Sequence, residues 1–325
     1  MNKGLFVLLI IISVSSFLEA QIPADSIQHA PNDTATIRIE PVQPEEKALP
    51  AMNSMKDFKS SEKHDCLYHI KPAIDIPVTL IGVIGAPLGF YLINKKPSTD
   101  TNVILNLDPH HDIEIGINRK DIHNYDPNLK QISDYFLYGS FLYGFVLLAD
   151  HDIRQDAGKI GLLFLETMSI TGASYSMTAA SVNKLRPYAY DTDTHVIQVN
   201  GIDTRVPEVP MSIRASTHAR NSFYGGHPSA PAASTLFVAS VYSAYHPHSP
   251  FRFVLYGIAV AATGTTAYLR YKGGYHFPTD LAVGVALGTA YGLVIPHLHR
   301  CKNGSSLSFA PLTSGIKGLD LRYTF

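Results

Sequence analysis

Six apolar segments follow one another from Ile74 onward, and they constrain the fold more than any other feature. They run at about 76–94, 132–148, 160–182, 229–245, 252–268 and 281–297. Each is long and apolar enough for a helix, although glycine is frequent in them. Charged residues make up 16% of the chain and hydrophobic ones 46%. That balance points to a heavily buried helical core or to a membrane. The net charge of −1 and the lack of a basic block leave no signal for nucleic acid. The expected class is therefore all-α, a bundle of about six apolar helices.

The flanks differ from this core. Met1 to Ala20 combines Lys3 with an apolar run from Leu5 to Val14 and reads as a secretory signal peptide over 1–20. Residues 21–73 are polar, with Pro, Thr, Ser and acidic residues, and read as a disordered tether. The helical domain is expected over 74–300. The tail, 301–325, holds two alternating stretches around a glycine-containing turn and reads as a β-hairpin. Cys66 and Cys301 match no metal spacing, and a disulfide and two free thiols remain equally open. Two polar stretches interrupt the apolar pattern. Residues 95–130 include His110, His111 and His123 without ordered ligand spacing and read as a surface cap. Residues 188–221 form a loop long enough to overhang a site.

Three short polar clusters sit at the edges of the later segments. The first is Asn183-Lys184-Leu185-Arg186-Pro187. The second is Ser222-Phe223-Tyr224-Gly225-Gly226-His227. The third runs from Arg270 to Asp280 and contains Gly273-Gly274-Tyr275-His276-Phe277-Pro278. Two arginines, two histidines, an aspartate and two Gly-Gly pairs suit a phosphate group. Arginine forks hold its oxygens, and a histidine can attack or donate a proton. Gly225 and Gly226 at a helix start could bring backbone N–H groups to an anion.

The order RP, then GGH, then R-x5-H-x3-D resembles the type 2 phosphatidic acid phosphatase and vanadium haloperoxidase superfamily, over about residues 162–297. The resemblance implies a helical fold and metal-independent phosphate ester hydrolysis without a cofactor. It assigns His276 as the nucleophile, Asp280 as the carboxylate that orients it, and His227 as the general acid. Arg186, Arg270, Gly225 and Gly226 would bind phosphate. The family lysine seven residues before Arg186 is Ala179 here, and Lys184 is the candidate to replace its charge. Gly225 stands where the family has serine, and Leu269 stands where a serine usually precedes the arginine.

The implied substrate is a phosphorylated lipid, an isoprenoid diphosphate or a small phosphomonoester. The expected location is the cell envelope, membrane-associated, with the site facing the periplasm. Two alternatives accompany this reading. One is an inactive envelope protein that binds an anionic lipid; the other is a haloperoxidase that takes vanadate as cofactor.

Overall fold

A computed structural model describes residues 66–120, 122–199, 202–301, 306–311 and 319–324. The expected signal peptide and most of the expected tether lie outside the described residues. Six long helices account for the six apolar segments: α1 (Pro72–Asn94), α2 (Pro127–Tyr143), α3 (Ala157–Ser181), α4 (Gly226–Tyr245), α5 (Phe251–Lys272) and α6 (Pro278–Leu298). The all-α architecture is the one expected. Local chemistry sets the helix starts. Asp126 caps α2 by accepting from the N–H groups of Asn128 and Leu129, with Pro127 at the first helical position. At α6, Pro278 again opens the helix, and the Asp280 carboxylate accepts from the Phe277 N–H at 3.1 Å.

Small residues let the helices approach closely. On α6, Gly284, Gly288 and Gly292 recur every four residues and form one stripe. They face Gly225, Ser229 and Ala233, which follow at the same spacing from the N-cap of α4 onward. A Cβ on Gly292 would stand 2.5 Å from the Ala233 carbonyl oxygen, and one on Gly288 would meet the Ser229 carbonyl oxygen still more closely. Gly82 and Gly89 of α1 rest in the same way on Ser169 and Ser176 of α3. Backbone-to-backbone packing of this kind replaces bulky interdigitation with many short dispersion contacts.

The long helices alternate in direction, so the bundle has two ends. One end collects the C-termini of α1, α3 and α5 with the N-termini of α2, α4 and α6. All three polar clusters lie there. The other end carries both chain flanks, where Cys66 and Cys301 form a disulfide. The clamp is reinforced by backbone hydrogen bonds from His69 N–H to the His299 carbonyl and from Cys301 N–H to the Leu67 carbonyl.

Residues 188–221 are more structured than the loop expected from the sequence. They contain a hairpin of β1 (Thr194–Val199) and β2 (Ile202–Pro207), paired antiparallel, followed by two short helical turns. The hairpin is largely exposed, so neither strand shows the in–out alternation that marks a half-buried strand. The expected terminal hairpin is present as β3 (Ser306–Pro311) and β4 (Leu319–Thr324).

Three helical stretches, Pro72–Asn94, Pro127–Ala149 and Pro278–Leu298, are long and apolar enough to cross a membrane. On α1, Ile74, Ile81, Ile84 and Leu88 are exposed together, an apolar face larger than water-facing helices carry.

The glycine stripe gives a direct test. Gly288→Leu forces α4 and α6 apart and is expected to destabilise the protein by about 3 kcal/mol. Thermal unfolding of the detergent-purified protein reads the effect, while Gly257→Leu, whose Cβ would meet open space, serves as the tolerated control.

Candidate active site

Backbone pairing brings the three clusters together at one end of the bundle. The Ser222 N–H donates to the Lys184 carbonyl (3.0 Å), and the Arg186 N–H donates to the Ala219 carbonyl (2.7 Å). These two bonds tie the first cluster to the approach of the second. The Gly225 N–H donates to the Asp280 carbonyl (2.9 Å), which joins the second to the third. The Tyr188 N–H donates to the Gly274 carbonyl (3.2 Å), which joins the third back to the first. Gly274 has φ +73°, and a Cβ there would strike the Asn124 backbone, so this turn requires glycine.

The Asp280 carboxylate lies at the junction. One oxygen accepts from Lys184 Nζ at 2.5 Å. The other accepts from Ser222 Oγ at 2.6 Å and from the Phe277 N–H. Both oxygens are thus engaged, and the orienting contact to His276 comes from elsewhere. His276 Nδ1 lies 3.2 Å from the Ser222 carbonyl oxygen. A carbonyl only accepts, so Nδ1 carries the proton and Nε2 keeps its lone pair. Nε2 is buried with no hydrogen-bond partner. Asp280 therefore acts on His276 through Ser222, one residue removed from the direct contact expected. Lys184 is likewise spent on Asp280 rather than left free for an anion.

Arg186, Arg270, His227 and His276 are all buried. The Nε atoms of Arg186 and Arg270 have no hydrogen-bond partner. The Tyr275 ring is near both guanidinium groups, its centroid 5.7 Å from Arg186 Cζ and 5.4 Å from Arg270 Cζ. His227 Nε2 is 3.0 Å from Asp134 Oδ1, close enough for an ion pair but not aligned as a hydrogen bond. Asp134, on α2, also holds Arg270 Nη2 and accepts from Lys130 Nζ at 3.0 Å. It is a second carboxylate of the site, shared between the buried arginine and the buried histidine.

The glycines play a different part from the one expected. The Gly225 N–H is used by Asp280, and the Gly226 N–H donates to the Tyr224 carbonyl at 3.0 Å. Neither amide is free for an anion. A Cβ on Gly226 would stand 2.5 Å from the Tyr175 ring, so glycine is needed here for close packing. At Ala179, where the family has its lysine, an ammonium arrives from another helix. Lys96, just beyond α1, donates to the carbonyls of Ala179 and Val182 and to Asn221 Oδ1. It thereby satisfies the last carbonyls of α3. Burial, with Arg220 nearby, lowers its pKa to about 8.

Three site residues carry roles that the sequence patterns did not assign: Asp134, Ser222 and Lys96. Asp134 did leave a signal, a carboxylate inside an apolar helix, which is costly unless it faces protein. The family model described as the PAP2 superfamily matches residues 160–303. This stretch is similar to the PAP2 superfamily. The match covers all three clusters, and the PAP2 superfamily implies phosphatase or haloperoxidase-type chemistry. No curated protein and no solved structure matches the chain.

Both histidines of this site resist protonation. Burial and the neighbouring Arg186, Arg270 and His227 hold His276 well below its usual 6.5. Burial and then Arg270 push His227 down to about 3, against the pull of Asp134. A histidine with a lowered native pKa stays neutral while the unfolded chain takes up a proton. Its contribution is therefore fully present above pH 6.5 and is lost as pH falls below it. Each histidine should cost about 1.4 kcal/mol per pH unit in that range. Denaturant unfolding from pH 6.5 downward measures the slope, and His276→Gln is expected to flatten it by about one proton.

Proposed function

We propose that the protein is a metal-independent phosphatase working through a phosphohistidine. The observation that carries this reading is the convergence of unpartnered, buried donors and a lone pair in one place. Arg186 Nε and Arg270 Nε offer N–H groups to an anion, and His276 Nε2 offers an electron pair.

In the first step, His276 Nε2 attacks phosphorus and the bond from phosphorus to the leaving oxygen breaks. His227 gives its proton to that oxygen. The imidazole then carries positive charge, which its Nδ1–H shares with the Ser222 carbonyl. Asp280 keeps Ser222 in place. In the second step, water attacks phosphorus, His227 takes the water's proton, and the phosphorus–nitrogen bond breaks. Inorganic phosphate leaves and His276 is neutral again. Arg186 and Arg270 stabilise the charge on the transferring group throughout. The dianionic substrate also supplies what His227 lacks in the free protein: negative charge nearby raises its pKa and favours the protonated acid. Asp134 holds His227 and Arg270 at their stations.

The apolar bundle supports a lipid phosphate or isoprenoid diphosphate as substrate, with soluble phosphomonoesters as the competing class. The test is phosphate release with EDTA present from an aryl phosphate, phosphatidic acid and an isoprenoid diphosphate. Release should persist in EDTA and fall at least about 10³-fold in His276→Ala. Arg186→Ala should lower it about 10²-fold. No release from the folded protein would favour a binding role for an anionic lipid. Halide oxidation appearing on addition of vanadate would favour the haloperoxidase reading.

The proposed location is the cell envelope, with the site facing the periplasm. The disulfide supports export to an oxidising compartment. Because the disulfide and the site lie at opposite ends of the bundle, a periplasmic site requires the bundle to associate with the membrane without crossing it. A cysteine placed at exposed Lys120, on the site end, reports the outcome. Labelling by an impermeant maleimide in intact cells with a permeabilised outer membrane is expected. Protection until lysis would place the site in the cytoplasm.

A further inference from the structure

At the end of the bundle remote from the site, Asp75 of α1, Glu166 of α3 and His299, just beyond α6, turn their side chains toward one another. Their ligand atoms all lie within 4.8 Å of each other. Glu166 is only 5% exposed, and its Oε2 is buried with no hydrogen-bond partner. Among the described residues, no lysine or arginine pairs with Asp75 or Glu166; the one ion-pair contact is His299 Nε2 to Asp75 Oδ1 at 3.1 Å. Two carboxylates thus share a buried space with a single imidazole. An unpaired buried charge is costly, and two would repel.

The histidine is arranged as a ligand. His299 Nδ1 lies 2.7 Å from the Ile295 carbonyl oxygen, so Nδ1 carries a proton. In the neutral ring, Nε2 then presents its lone pair to two carboxylates, an arrangement that needs a cation between them. A backbone carbonyl on the far nitrogen is how metal-bound histidines are usually oriented. The carboxylates are held too: Asp75 Oδ2 accepts from the Lys71 N–H at 2.6 Å, leaving Oδ1 toward the cluster. The Cys66–Cys301 clamp joins the segments that lead into Asp75 and out of His299, which fixes the two ligands against each other.

Two other groups of this type are weaker. His123, Asp191 and Asp193 centre on an exposed imidazole, which already lies within 3.5 Å of both carboxylates. Asp150, Asp152 and His246 lie at the surface, where acidic groups need no ion.

We propose that Asp75, Glu166 and His299 form a structural zinc site that pins α1, α3 and the end of α6 together beneath the disulfide. One nitrogen and two carboxylate oxygens suit zinc, with water completing the four positions. Tetrahedral ligands about 2.1 Å from zinc stand about 3.4 Å apart, so donors lying within 4.8 Å of one another close further around the ion. The site lies at the opposite end from His276, so it takes no part in phosphate transfer. No spacing pattern marks this site in the sequence, because Asp75, Glu166 and His299 are scattered over the chain.

The full-length protein in detergent, stripped with EDTA and returned to zinc, tests the proposal by bound metal and by thermal unfolding. One zinc per chain and a higher melting temperature are expected for the wild type. Glu166→Gln and His299→Ala should each weaken binding at least about tenfold, and His246→Ala should leave it unchanged. Without zinc, Glu166→Gln should be at least as stable as the wild type, because it removes an unpaired buried charge; with zinc, the order should reverse. A wild type that binds no zinc, or zinc binding and stabilisation that persist in Glu166→Gln and His299→Ala, would overturn the site. In the first case, an imidazolium bridging Asp75 and the Ile295 carbonyl is the remaining arrangement.

Discussion

The carboxylate of Asp280 is the contact on which the site end of the molecule depends. It accepts from Lys184 in the first cluster, Ser222 in the second and its own Phe277 N–H in the third. The carbonyl of the same residue accepts from Gly225. Hydrogen bonds to a buried ionised group are among the stronger ones, roughly 1.5–3 kcal/mol each. One side chain thus fixes the relative positions of three segments that are far apart in sequence. His276 benefits indirectly: its Nδ1 partner is the carbonyl of Ser222, whose hydroxyl Asp280 holds.

A second anion divides the labour. Asp134 lies against Arg270 and His227, and it compensates a buried guanidinium that would otherwise be unpaired. The site is therefore a pair of carboxylate centres, one organising the backbone junction and the other organising charge. Between them, Arg186, Arg270 and His276 keep donors and a lone pair uncommitted. Such groups are costly in a folded protein unless a ligand meets them, and this is why their convergence points to an anion-handling site.

The bundle makes this economy practicable. The small-residue stripes on α4 and α6 bring the helix starts carrying His227 and Asp280 close enough for Gly225 to bond the Asp280 carbonyl. A larger side chain at Gly284, which faces the Gly225 backbone, would push those starts apart. Helix packing and site geometry are thus one constraint here, because the same few residues serve both.

By itself, the sequence determined the number of long apolar helices, their approximate limits, the terminal hairpin and the candidate residues of the site. Apolar length and Pro or Asp at helix starts are local signals, and the R-x5-H-x3-D spacing is a local pattern as well. The partners were decided only by the tertiary structure. Asp280 was expected on His276 because four residues span one helical turn, yet Lys184 and Ser222 occupy its oxygens. Gly225 and Gly226 were expected to face an anion, yet their amides are bonded within the protein and their missing side chains make room for α6 and Tyr175. Asp134 reaches the site from α2, Lys96 reaches Ala179 from the end of α1, and Cys66 meets Cys301 across the whole domain. No spacing rule links such residues, because their proximity arises from the packing of helices and not from their order along the chain.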